Sequence, residues 1–143
     1  MRLIVPDASV ALKWRLDDEE CVRQAREMLL DFGRGSVELV VPDLFFVEIS
    51  NGMKVAVRMG RIDEESAREF VRQVLQLGMV AIKAEELVMR ATELAFLHDR
   101  SVYDCVYLAA AERLGCPFFT GDRRLYNALR GKLGYIRWIG EYR

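Results

Sequence analysis

The sequence predicts a three-layer α/β/α sandwich around a central, mainly parallel sheet. Three observations lead there. Short aliphatic and β-branched runs at Arg2–Val5, Val37–Val41, Met79–Ile82, Pro117–Thr120 and Tyr135–Trp138 are separated by stretches of helical periodicity. Strands that alternate with helices form parallel sheets covered on both faces. Two of these runs lead into an acidic residue, Asp7 and Asp122, and ligands of such sheets bind beyond the carboxyl ends of the strands.

Taken in order, Pro6 stops the first strand and Asp7 precedes Ala8–Leu12, a segment it can cap. From about Asp17 to Phe32, apolar Cys21, Ala25, Met28, Leu29 and Phe32 stand among charges at the spacing of an amphipathic helix closed by Gly33 and Gly35. After the second strand, Pro42 and Asp43 read as the start of a largely apolar helix through Leu44, Val47, Ile49 and Met53 towards Gly60. Asp63 can cap a further helix to about Leu77. Helices are then expected from about Glu85 to His98, from Val102 to Leu114, and through Leu125 and Leu129. There is no internal repeat and no linker, and 143 residues that are 52% hydrophobic can bury a core, so a single domain over residues 1–143 is expected.

Charge is nearly balanced, with 21 basic and 22 acidic residues, so composition alone does not mark a nucleic-acid binder. The distribution is uneven: six basic residues and only Glu141 among the acids fall between Arg123 and Arg143. That basic end reads either as a polyanion-facing edge or as a solvated surface. Cys21, Cys105 and Cys116 are odd in number and form no C-x-x-C pair, which excludes a zinc ribbon or disulfide framework as the organising device and suits a reducing compartment. The apolar run at the amino end is cut short by Pro6 and Asp7, and no stretch approaches a membrane span, so a cytoplasmic location with no membrane attachment is expected.

Four carboxylates carry the chemistry. Asp7, at a strand end, reads as a helix cap or as a site residue. Glu48 lies inside Leu44-Phe45-Phe46-Val47-Glu48-Ile49, where an ionised group taken out of water is costly unless paired or bound to a cation; the other reading is a solvent-facing side chain. Asp104 begins the nearly all-apolar helix Val106-Tyr107-Leu108-Ala109-Ala110-Ala111. Ser101-x-x-Asp104 has the form of a capping box, although Asp is shorter than the usual Glu or Gln. Asp122 follows a glycine turn, a common place for a capping Asp. Converging carboxylates repel one another and raise one another's pKa unless cations neutralise them. Oxygen ligands without a His or Cys cluster select Mg²⁺ or Mn²⁺ over Zn²⁺, and such ions support phosphodiester hydrolysis.

Four blocks, Val5-Pro6-Asp7-Ala8-Ser9-Val10, Glu48-Ile49-Ser50-Asn51, Val102-Tyr103-Asp104-Cys105-Val106-Tyr107-Leu108-Ala109 and Thr120-Gly121-Asp122-Arg123-Arg124-Leu125, occur in an order and spacing that resemble the PIN-domain ribonucleases, particularly the VapC toxins of toxin–antitoxin pairs. The resemblance spans the whole chain. It implies a PIN-like sandwich, Mg²⁺- or Mn²⁺-dependent endoribonuclease activity and metal binding by Asp7, Glu48, Asp104 and Asp122. Ser9, Asn51 and Thr120 would support those carboxylates or reach the metal through water. A homodimer and a cognate antitoxin that blocks the site are implied as partners. The sequence departs from many relatives at Arg124, where an acid often stands two residues after the last carboxylate, so one resident ion is expected.

The mechanism that follows is attack of an activated water on RNA, leaving a 5′-phosphate and a 3′-hydroxyl. Lys13, Arg15, Arg123 and Arg124 are candidates for phosphate contacts, with plain surface charge as the competing reading. His98 is the only histidine, which excludes a two-imidazole ribonuclease. An aspartyl-nucleophile phosphatase would want a second acid where Ser9 stands, and the chain has neither a P-loop nor G-x-G-x-x-G. The rival from another class is a catalytically idle PIN-like RNA-binding or assembly protein.

Overall fold

The computed structural model describes all 143 residues. Strands β1 (Arg2–Pro6), β2 (Val37–Pro42), β3 (Val80–Ile82), β4 (Phe118–Thr120) and β5 (Ile136–Trp138) form one all-parallel sheet in the order β3-β2-β1-β4-β5. They are connected by helices α1 (Ala8–Leu12), α2 (Val22–Gly33), α3 (Leu44–Arg58), α4 (Glu64–Leu75), α5 (Val88–His98), α6 (Val102–Leu114) and α7 (Arg123–Leu129). The expected α/β/α layering is present. From β1 the chain winds outward through β2 to β3, then crosses back over β1 to β4 and on to β5. Right-handed crossovers of opposite sense deliver their helices to opposite faces. The two halves part between β1 and β4, and the carboxyl ends of those strands open a crevice at this topological switch point. The Asp7 N–H spans the gap to the Phe119 carbonyl at 3.2 Å.

Local chemistry sets the helix ends. Ser101 caps α6 by accepting the Asp104 N–H at 3.1 Å, and Gly115, at φ 63°, closes it in the left-handed region that glycine adopts without strain. Asp63 caps α4 through the Ser66 N–H at 2.8 Å. One expectation is corrected. Residues 17–21 are not helical: Cys21 sits at φ 60°, and the adjacent acids turn out to meet Arg26, Arg61 and Arg123. α3 begins where Pro42 and Asp43 place its start, with Asp43 at the N-cap position but making no side-chain cap bond. The Asp43 carboxylate instead accepts the Ala84 N–H at 2.9 Å while its own N–H donates to the Ile82 carbonyl, stitching the ends of β2 and β3 together.

One continuous apolar cluster, with Ile4, Leu39, Phe45, Ile49, Leu108 and Phe118 fully buried, runs through the molecule. α6 is buried from Cys105 to Ala111 and packs on β1 and β2. As it returns antiparallel to the strands, its first turn lies at the carboxyl edge of the sheet. α3 leaves that same edge directly after β2, so Glu48 and Asp104 start from the side on which β1 and β4 end. No helix is long and apolar enough to cross a membrane.

Candidate active site

Asp7 is the best-held of the four acids. One oxygen, Oδ1, accepts the Ser9 hydroxyl at 2.5 Å and the Val10 N–H at 3.2 Å, and Oδ2 accepts the Thr120 hydroxyl at 2.6 Å. Both hydroxyls are themselves oriented. Ser9 Oγ accepts the Gly121 N–H at 2.7 Å and Thr120 Oγ1 accepts the Asp122 N–H at 3.0 Å, so each has its proton free to donate towards Asp7. Asp7 is only 7% exposed, and burial pushes its carboxyl up to about 6 against the lowering effect of these hydrogen bonds. The negative charge of Asp104 adds to the rise.

Glu48, half-buried on α3, accepts the Tyr107 hydroxyl from α6 at 2.5 Å. Burial raises its pKa, the Tyr107 bond opposes the rise and Asp104 adds to it. Tyr107 is itself shifted far above the ordinary phenol range, first by burial and then by the charge of Glu48. Asp104 is also raised by burial, with the Arg100 charge opposing and Asp122 adding. It does not complete a capping box, because the Ser101 N–H makes no bond to its carboxylate. Asp122, at the amino end of α7, uses Oδ1 to accept the Arg124 and Leu125 N–H groups at 3.0 and 3.2 Å. The capping role anticipated for Asp7 and Asp122 is thus real, and it leaves each with acceptor capacity.

The four acids therefore lie just after β1, on α3, on α6 and at the N-cap of α7, with the charge of Asp104 acting on Asp7 and Glu48 and that of Asp122 on Asp104, yet no three of them form a group that can hold an ion as they stand. An all-oxygen donor set of this looseness fits a hard, partly hydrated divalent ion, which keeps several waters, and does not fit a closed tetrahedral zinc site. Beside Glu48 a cleft of about 450 Å³ is walled by Ala8, Leu44, Val47, Asn51 and Tyr103, the last a residue 64% exposed. Asn51 lies in that wall and makes no side-chain hydrogen bond, unlike Ser9 and Thr120. The cleft between α3 and α4 is lined by none of the four acids.

A family model for the PIN domain matches residues 4–130. The chain belongs to the PIN-domain family. Among curated proteins it is 31% identical over 123 residues to Ribonuclease VapC9 of Mycobacterium tuberculosis and to a VapC ribonuclease of Mycobacterium bovis, covering 86% of this chain and 88% of each relative. It is 29% identical over 128 residues to Ribonuclease VapC3 of Pyrobaculum aerophilum, covering 87% of this chain and 92% of that one. This PIN domain is accordingly of the VapC type.

The PIN-domain site differs in its cations from what sequence reasoning anticipated. Lys13 is 2% exposed, its stem packed towards Gly121 and its amine 3.5 Å from Glu19, so it is not a surface cation. Arg123 pairs with Glu20 at 2.9 Å and stacks over Trp138, which leaves Arg124 exposed and Arg15 half-buried as the less committed members of the expected set. Two residues went unremarked in the sequence. Tyr107 holds Glu48 across two helices, and its i+3 spacing from Asp104 on a buried helix was the available signal. Arg100, 4.0 Å from Asp104, had no signal beyond its i−4 position.

Proposed function

We propose that this PIN domain, over its full length, is a Mg²⁺- or Mn²⁺-dependent endoribonuclease and the toxin of a VapBC-type pair. The observation that carries the reading is Asp7. A buried carboxylate held by two oriented hydroxyls at the β1/β4 switch point, with three further acids facing the same edge, is an arrangement that a cation relieves. The ribonuclease names of its relatives point the same way.

Asp7, Glu48, Asp104 and Asp122 would hold the ion, with Ser9 and Thr120 fixing Asp7 and Tyr107 fixing Glu48. When bound, Mg²⁺ or Mn²⁺ neutralises the acids and supplies Lewis-acid activation for hydrolysis of a phosphodiester. Without that neutralisation the acids would repel RNA. Buried hydrogen bonds to Asp7 keep its oxygens aimed while the charge around it changes. The exposed ring of Tyr103 and the amide of Asn51 offer a base bordering the cleaved bond a stacking face and a polar edge. Arg124, standing where an acid would extend the site, favours a single ion. The expected products carry a 5′-phosphate and a 3′-hydroxyl.

Exposed Met89, Phe96 and Leu97 on α5 supply apolar surface for a second copy, and the acid edge with its cleft supplies the surface an antitoxin would block; both partners and a cytoplasmic setting follow from the VapC-type reading. Incubation of the purified chain with a mixed set of RNAs in Mg²⁺, in Mn²⁺ and in chelator tests the function. Internal cleavage with 5′-phosphate ends is expected only with metal. Absence of cleavage of every RNA would favour the idle binding or assembly protein.

A further inference from the structure

We propose that Arg100 binds a phosphodiester of the RNA substrate at the Asp104 side of the acid cluster. The inference rests on the reading of that cluster as the RNA-cleaving site and adds to it a cation that the reading lacks.

Arg100 lies in the short link between α5 and α6, after Asp99 has turned the chain through φ 52°. Its Nη2 stands 4.0 Å from Asp104 Oδ2, too far for a hydrogen bond. Its Nε is buried and has no partner among the protein's own groups. Buried donors in native proteins are almost always satisfied, so an orphaned guanidinium nitrogen beside an acid site asks for an acceptor that arrives with a ligand. The guanidinium fork matches the paired oxygens of a phosphate in a way an ammonium does not.

The surrounding cations sharpen the assignment. Arg61 is engaged by Asp18 and Glu19, Arg123 by Glu20, and Lys13 is buried against Glu19. Arg100 keeps its hydrogen-bonding capacity unspent while standing beside one of the four acids. The looseness of the Arg100–Asp104 pair also has a use. A bidentate pair would consume the Asp104 oxygens, whereas a 4.0 Å spacing leaves them available to a cation and leaves the guanidinium free to move onto a phosphate oxygen. With a side chain 27% exposed, Arg100 is partly open to such a ligand already.

The test measures binding of a short fluorescent single-stranded RNA across a KCl series, with Ca²⁺ in place of Mg²⁺, for the wild type, Arg100→Ala and Arg100→Lys. Cleavage by the wild type in Mg²⁺ is followed in parallel. The expected result is about tenfold weaker binding by Arg100→Ala at low salt, a salt dependence shallower by about 0.7 in log–log slope, and partial recovery in Arg100→Lys. Unchanged affinity and slope in Arg100→Ala overturns the proposal even if the wild type cleaves. So does weaker binding at unchanged slope together with a lowered melting temperature in both variants, which would mark Arg100 as structural. A wild type that binds RNA through Arg100 but never cleaves it would defeat the nuclease reading alone, and a wild type that binds no RNA would overturn the role of Arg100.

Discussion

The Thr120 hydroxyl donates to Asp7 Oδ2 at 2.6 Å, joining residues 113 positions apart in the chain at the adjacent ends of β4 and β1. Thr120 is fully buried, and its own Oγ1 accepts the Asp122 N–H, so one side chain aligns two of the four acids. Thr120→Val keeps the shape and removes both bonds. We expect a loss of about 1–3 kcal/mol in denaturant unfolding, a further rise in the Asp7 pKa and impaired cleavage, with Thr120→Ser restoring most of each.

Tyr107→Phe removes the donor to Glu48 and leaves the ring packing in place. Loss of a partner that orients a metal-binding carboxylate typically weakens metal affinity by about 10–100-fold. Mn²⁺ titration of the variant should show that loss with the fold retained; wild-type affinity would mean that Glu48 does not hold the ion through this bond.

Gly121 is required for space. A Cβ there would lie 2.4 Å from Lys13 Cε and 3.2 Å from the Ser9 carbonyl oxygen. Because Lys13 is buried, its stem has little room to yield. Gly121→Ala should destabilise by about 1–3 kcal/mol through overpacking and disturb the Ser9–Gly121 bond. Combining it with Lys13→Ala should recover part of the stability in thermal unfolding; no recovery would place the clash at the Ser9 backbone.

The pH dependence has a definite sign. Asp7 titrates at about 6 in the folded protein and from 3.8 in its unperturbed form, so the folded state binds more protons between those values and stability falls as pH rises through that window. The burial-raised pKa values of Glu48 and Asp104 act in the same direction. In chelator at pH 7, Asp7→Asn should therefore be more stable than the wild type by up to about 3 kcal/mol. The gap should close below pH 4 and should shrink when Mn²⁺ is added to the wild type. A wild type that is the more stable at pH 7 without metal would contradict a strained Asp7.

Much of this was legible in the sequence because it is local. Ser101 and Gly115 delimit α6, and the strand runs that lead into Asp7 and Asp122 mark the edge on which the acids gather. The acidic residues 17–20 were misread as the first turn of α2 because their spacing from Cys21 and Ala25 mimics an amphipathic helix. Arg26 of α2 and the distant Arg61 and Arg123 pair with them, and no helical i,i+3 or i,i+4 pattern encodes those pairs. The burial of Lys13 was not legible for a similar reason: a long charged side chain one turn after Ser9 looks exposed until Gly121 and Glu19 enclose it. The bonds that hold the acids, Thr120 to Asp7 and Tyr107 to Glu48, join elements far apart in sequence and become visible only once the sheet order is known.

The most direct test of the central claim compares RNA cleavage by the wild type and by Asp104→Asn in Mn²⁺. Asp104 is the acid whose charge is felt by both Asp7 and Glu48 and which in turn feels Asp122. Its neutralisation should leave the fold intact and lower the cleavage rate by at least about a hundredfold, on the order of 3 kcal/mol of lost transition-state stabilisation. Equal rates for the two proteins would contradict the assignment of these four carboxylates as the active site.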